Sequence, residues 1–181
     1  MNRSKRSYKS MKTGSNMKRS TAGKLRTIDS LLEELSQHRR QKKVIVFTNG
    51  CFDIVHKGHI ELLKLCRQQG DIVVVGLNSD SSVRAIKGPQ RPINNQHDRA
   101  TVLAALESVD YVTIFEEPSV LSLVEKIKPD VLVKGAQWGQ NGVVGREFVE
   151  SYGGRIVLAP MVEGKSSTAT IEKIKVLGTE L

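Results

Sequence analysis

Two histidines bracket a glycine in His56-Lys57-Gly58-His59, a residue set suited to holding phosphate. The pair follows the apolar run Val44–Thr48 and the turn Asn49-Gly50-Cys51-Phe52-Asp53, and it opens a helical pattern that reaches Gln69. A helix N-terminus presents unpaired N–H groups and the positive end of its dipole, which favours anions. Two imidazoles add donors, and Gly58 lets the main chain approach a bound oxygen closely. A lone histidine at a helix start is commonly structural, whereas a spaced pair after a strand and a glycine turn points to phosphate chemistry. Thr48, Gly50, Cys51 and Phe52 are expected on the nucleotide side of such a site, with a second substrate opposite. Asp53 has two readings, orienting the main-chain turn or binding part of that second substrate, and it is grouped with the substrate-binding residues.

A second cluster, Glu163-Gly164-Lys165-Ser166-Ser167-Thr168, precedes a helical pattern near the C-terminus. Hydroxyls at a helix start cap its free N–H groups and can also donate to phosphate oxygens, so Ser166, Ser167 and Thr168 join the nucleotide set. A third cluster is cationic: Arg84, Lys87, Arg91 and Arg99, around the Gly88-Pro89 break. Phosphoryl transfer concentrates negative charge, and positioned cations stabilise its transition state. A flexible Gly-Pro loop could close Lys87 and Arg91 over a triphosphate, with Arg84 most readily explained as solvated surface. His56, His59, Lys87 and Arg99 form the candidate catalytic set, with Arg91 among the nucleotide contacts.

These residues need a scaffold that brings distant segments together. Apolar runs at Val44–Thr48, Ile72–Leu77, Tyr111–Ile114, Val131–Lys134 and Ile156–Leu158 read as strands. Helical patterns lie near His59–Gln69, Gln96–Leu106, Ser119–Ile127, Gly145–Tyr152 and Thr168–Val176, and a capping box at Ser30-Leu31-Leu32-Glu33 opens an earlier helix to about Arg40. Continuous β-branched strands alternating with helices predict a Rossmann-like, doubly wound α/β domain with a parallel five-stranded sheet. Ligands sit at the carboxyl ends of such strands, where strand order reverses. Asn49-Gly50, Asn78-Ser79-Asp80 and Gly135-Ala136-Gln137-Trp138 each follow a predicted strand and would converge there, adding Asn78 and Asp80 to the nucleotide side.

The 181 residues fit one domain, and the formal charge of +9 is unevenly spread. Residues 1–27 hold nine Lys/Arg and no acid, whereas the remainder carries 19 basic and 19 acidic side chains. A basic, disordered tail over 1–27 and a folded domain over 28–181 follow, and nucleic-acid binding by the folded part is not expected. A weak electrostatic anchor to RNA or anionic lipid is the second reading of that tail, and a cleaved targeting peptide the third. Cys51 and Cys66 make neither a disulfide framework nor a zinc site, read as packing residues and suit a reducing cytoplasm. No apolar run has the length of a membrane span.

The succession T-N-G-C-F-D, H-K-G-H, N-S-D, K-G-x-x-R-P-I, V-D-Y-V, P-D-V-L-V-K-G-A and E-G-K-S-S-T-A-T-I resembles the cytidylyltransferase-like branch of the H-x-G-H nucleotidyltransferases. Within it, the chain is similar over about residues 28–176 to the heptose 1-phosphate adenylyltransferases, which occur alone or as half of a bifunctional kinase/adenylyltransferase. The resemblance implies that His56, His59, Lys87, Arg99, Ser167 and Thr168 contact ATP phosphates. It also implies that Asn49 and Lys134 face a sugar 1-phosphate, with Gln137 and Trp138 beside them. Gln137 departs from the Asp usual in the family, and Ser167 and Ala169 vary the last motif without removing its hydroxyls. Mg²⁺ accompanying the triphosphate is implied, with no protein residue assigned as a metal ligand. The rivals are a glycerol- or ethanolamine-phosphate cytidylyltransferase, disfavoured by Met161 where those carry Arg, and a non-catalytic nucleotide- or RNA-binding protein. A cytoplasmic location is expected from the cysteine usage, and a homodimer is compatible with the sequence.

Overall fold

A computed structural model describes residues 20–117, 119–139 and 142–178. The five apolar runs form strands β1 (Ile45–Gly50), β2 (Ile72–Asn78), β3 (Tyr111–Phe115), β4 (Val131–Gly135) and β5 (Arg155–Ala159). They pair in parallel in the order β3-β2-β1-β4-β5. Strand order therefore reverses between β1 and β4, the place where sheets of this class bind ligands. β1 stays paired with β2 as far as Gly50–Leu77, but its pairing with β4 ends at Phe47–Leu132. A fork opens beyond that point, between Asn49 and Lys134.

Among the described residues, seven α-helices flank the sheet: α1 (Ile28–Arg40), α2 (Lys57–Gln69), α3 (Asp80–Lys87), α4 (Gln96–Ala105), α5 (Leu121–Ile127), α6 (Arg146–Ser151) and α7 (Ser167–Gly178). Leu31 and Leu35 of α1 bury against Phe47, Val74 and Tyr111 on one face, with Leu123, Val124 and Ile127 of α5 and Val149 of α6. Leu63 of α2 and Ala100, Leu103 and Ala104 of α4 pack on the other face against Val75, Leu77 and Val112. Cys66 lies in the same layer, against Val46, Val73 and Val133. The helices thus cover both faces, as the β-branched strands require. Among the described residues, no helix is long and apolar enough to cross a membrane.

Gly76 is a tight point of the first face. A Cβ added there would lie 2.8 Å from Phe47 Cζ and 3.0 Å from Leu123 Cδ2. Overpacking of this kind costs about 1–3 kcal/mol, so Gly76→Ala is expected to lower the melting temperature by several degrees in a thermal scan. An unshifted transition would show that this interior has slack.

Three local readings are corrected. Helix α1 begins at Ile28 with Thr27 as its cap, because Thr27 Oγ1 accepts the Ser30 N–H at 3.4 Å and Ile28 packs on the core. Ser30 therefore sits inside the helix and is not its cap. Helix α3 occupies a segment that reads as loop, since its only large apolar residues are Val83 and Ile86 and Gly88 follows directly. The boundary of the tail also shifts. Leu25 bridges Val112 in parallel, the Arg26 N–H donates to Val112 O at 2.9 Å, and the Val112 N–H donates to Lys24 O at 2.9 Å. Residues 20–27 are therefore part of the folded structure, while residues 1–19 lie outside the described residues.

Candidate active site

A cavity of about 610 Å³ lies over the fork between β1 and β4. β1 and its following turn contribute Thr48, Asn49, Gly50, Cys51, Phe52 and Asp53; β2 contributes Asn78; α3 and its following loop contribute Lys87 and Arg91. The opposite wall comes from Lys134, Gln137 and Trp138, and the start of α7 brings Ser166, Ser167 and Thr168. Segments far apart in sequence thus meet around one space, with His56 and His59 at its floor.

His56 caps α2, its Nδ1 accepting the Gly58 N–H at 3.1 Å. That bond places the proton of the neutral ring on Nε2. The two imidazoles stack with centroids 3.8 Å apart and planes 22° apart, and Phe52 covers His59 at 5.1 Å. Burial lowers the pKa of both rings; the charge of Lys165 adds to the effect at His56, and His59 is pushed down to about 4 by burial and by His56. Both rings are therefore neutral hydrogen-bonding groups at neutral pH. His59 Nδ1 and the Thr48 hydroxyl are buried without a hydrogen-bond partner, as is the Thr113 hydroxyl of β3 away from the cavity. A Cβ at Gly58 would lie 3.0 Å from His56 Cε1 and 3.6 Å from Lys165 O, so glycine lets the ring and the Lys165 main chain share this corner.

The turn before the histidines holds Phe52 at φ 46° and Ile54 at φ 51°. The left-handed region costs an ordinary residue about 1–2 kcal/mol, and a branched Ile more. Such a conformation persists where its surroundings over-determine it. Asp53, 1% exposed, accepts the Ile93 N–H at 2.8 Å, the Asn94 N–H at 3.0 Å, and Arg91 Nε at 2.9 Å. The Ser167 hydroxyl donates to the Asp53 main-chain oxygen. Burial alone would raise the Asp53 pKa, but the two N–H groups and the Arg91 guanidinium outweigh it and hold the carboxyl below its usual range. Both carboxylate oxygens are thus engaged within the protein, which is the turn-orienting one of the two readings of Asp53.

Arg99 and Asp80 differ from expectation. Neither lines the cavity. Arg99 is 2% exposed and donates from Nε to Asn94 O at 3.0 Å, from Nη1 to Cys51 O, and from Nη2 to Asp80 Oδ1 at 2.8 Å. Asn78 does line it, its Nδ2 donating to Ser82 Oγ at 2.8 Å. Ser166 Oγ accepts the Ala169 N–H at 3.0 Å and so caps α7. On the far wall, Lys134 Nζ donates to Asn49 Oδ1 at 2.9 Å across the fork and lies 5.4 Å from the Trp138 ring centre. Burial pushes its pKa down to about 8. The Cys51 thiol is pushed up by burial, which leaves it protonated and a poor nucleophile.

Lys165 is a site residue that the sequence reading left unassigned, although its motif was in view. It lines the cavity together with Lys87, Arg91 and Lys134. Four cations, two neutral donors and two helix N-termini around one space are suited to a polyphosphate and a second anion. Among the described residues, no group of three or more His, Cys, Asp or Glu is placed to hold a metal ion, and the nearby Asp53 and Asp80 are engaged by Arg91 and Arg99. The donor set does not fit a protein-held cation.

Residues 47–168 match the family model described as cytidylyltransferase-like. The chain belongs to the cytidylyltransferase-like family. It is a nucleotidyltransferase by that membership. Similar curated relatives are the "Bifunctional protein HldE" of Syntrophotalea carbinolica, 48% identical over 83% of this chain, and that of Geobacter sulfurreducens, 49% identical over 87%. The protein of the same name from Mesorhizobium japonicum is 58% identical over 71%. The chain spans 31%, 32% and 26% of their respective lengths. Among solved structures, a lipopolysaccharide core biosynthesis protein from Thermoplasma volcanium matches with a TM-score of 0.56 and 27% identity, over 66% of this chain and 97% of that one. Pantoate-beta-alanine ligase from Francisella tularensis, with a TM-score of 0.59 and 19% identity over 76% of this chain and 66% of that one, shares the fold of this family.

Proposed function

We propose that the protein transfers AMP from ATP to a sugar 1-phosphate, heptose 1-phosphate in the first instance, giving an ADP-sugar and pyrophosphate. The observation that carries this reading is the set of cations and neutral donors lining one cavity over the fork: His56, His59, Lys87, Arg91 and Lys165, with Lys134 braced on Asn49. We assign the first five to one anion seat and Lys134 to a second. The triphosphate occupies the first seat and the acceptor phosphate the second. An acceptor oxygen attacks the α-phosphorus, the bond from that phosphorus to the β-bridging oxygen breaks, and pyrophosphate leaves with the bond pair. The nucleophile is already anionic at neutral pH, so the protein need only align it and neutralise charge. His56 donates from Nε2, which its bond to the Gly58 N–H leaves protonated. The likeness to a lipopolysaccharide core biosynthesis protein supports a saccharide acceptor. Met161, exposed on the cavity wall where the glycerol- and ethanolamine-phosphate enzymes carry Arg, supports ATP over CTP.

The test is pyrophosphate release from four nucleoside triphosphates against a panel of sugar 1-phosphates. ATP with heptose 1-phosphate is expected to be fastest. A preference for CTP, or for an acceptor lacking a sugar, would overturn the assignment.

A further inference from the structure

Asp53 and Arg99 are buried, oppositely charged and close to the same loop, yet each is hydrogen-bonded to it and not to the other. They hold the two sides of a single residue: the Asn94 N–H donates to Asp53 Oδ1 at 3.0 Å, and the Asn94 carbonyl accepts from Arg99 Nε at 3.0 Å. Arg99 reaches in two further directions, to the main-chain oxygen of Cys51 in the turn after β1 and to Asp80 at the start of α3. One guanidinium therefore ties together the segments that follow β1, β2 and α3. A planar fork with fixed donor directions can do this, whereas an ammonium is a compact point charge on a flexible stem. The loop so gripped carries Arg91, bound in turn to Asp53, and it continues directly from Lys87 at the end of α3.

We propose that Arg99 is a positioning residue: with Asp53 it clamps the 88–95 loop at Asn94 and thereby sets Lys87 and Arg91 against the triphosphate, while touching no phosphate itself. This rests on the reading of the cavity as an ATP site. A second consequence concerns Asp80, which acts through Arg99 in the same way. Its carboxylate is part-exposed and holds only the outermost arm of the fork.

The decisive variant is Arg99→Lys, which keeps the charge and loses the three-way fork. Turnover is expected to fall on the order of 100-fold, the cost of misplacing groups around a reacting centre by about 1 Å. The KM for the sugar phosphate should not change. Adding Arg91→Ala to that variant should cost far less than Arg91→Ala costs alone, because the loop is already misplaced. Independent, multiplicative losses would make Arg99 a phosphate ligand and overturn the proposal, as would wild-type turnover in Arg99→Lys. If Arg99→Lys fails to fold, Asp80→Asn carries the test: reduced turnover with an unchanged acceptor KM supports the clamp, and wild-type turnover overturns it. Hydrogen exchange at the Asn94 amide reads the clamp without any catalysis. Faster exchange in either folded variant is expected even if ATP is not the substrate, so failure of the functional reading and failure of the clamp give different results.

Discussion

Replacing His59 by alanine is expected to slow pyrophosphate release on the order of 100- to 1,000-fold, the range found when one preorganised donor is removed from a transition-state site. The fold should survive, since His59 makes its contacts with His56 and Phe52 at the rim of the core. Near-normal turnover would remove the histidines from the mechanism. The same ring gives a pH signature. Its pKa of about 4 in the folded protein lies below the ordinary value of 6.5, so as pH falls the unfolded chain takes up this proton first. Stability from this group is fully present above about pH 6.5 and is lost progressively down to pH 4, by about 3 kcal/mol at most. Melting curves between pH 7 and 4 should show that loss in the wild type and a shallower one in His59→Gln. Equal slopes would mean that the ring is not held neutral.

The second large effect is expected at Lys134. Lys134→Met keeps an unbranched side chain one atom shorter and removes its charge. A hydrogen bond to a charged group contributes about 1.5–3 kcal/mol, so the KM for the sugar phosphate should rise roughly 10- to 150-fold while the KM for ATP changes little. Burial, which lowers the Lys134 pKa to about 8, adds a direction. As pH rises through 8 the empty site loses this proton and its attraction for a phosphate, so the acceptor KM should climb in the wild type and stay flat in the methionine variant. A rise in the KM for ATP alone would move Lys134 to the other seat and reverse the arrangement of substrates.

The strands were legible because each is a continuous β-branched run between polar breaks, and burial on both faces leaves little room for another pattern. The histidine pair was legible because its chemistry is local: a ring that caps a helix and a glycine beside it are neighbours in the chain. The roles of Asp53 and Arg99 were not. That one carboxylate is consumed by Arg91, Ile93 and Asn94, and one guanidinium by Cys51, Asn94 and Asp80, is decided by contacts of which all but the Arg99–Asn94 one span 19 to 48 positions. A cation beside a phosphate motif reads as a phosphate ligand until its donors are traced. Helix α3 stayed hidden for a different reason. Its polar composition matches a loop, and the signals present, Ser79 accepting the Ser82 N–H and Gly88 at the far end, are short-range caps without a strong apolar stripe between them.

The pairing of Leu25 with Val112 bears on how the molecule behaves in a crowded solution. β3 is the outermost strand on its side, and an uncovered outer strand is a template for a foreign one. Lys24 and Arg26 occupy hydrogen-bonding positions that an intruding chain would use, and their cationic side chains discourage one from settling alongside. A version trimmed to begin at Ile28 would keep every residue of the cavity and lose this guard. Chemical completeness and colloidal good behaviour thus reside in different stretches of the polypeptide.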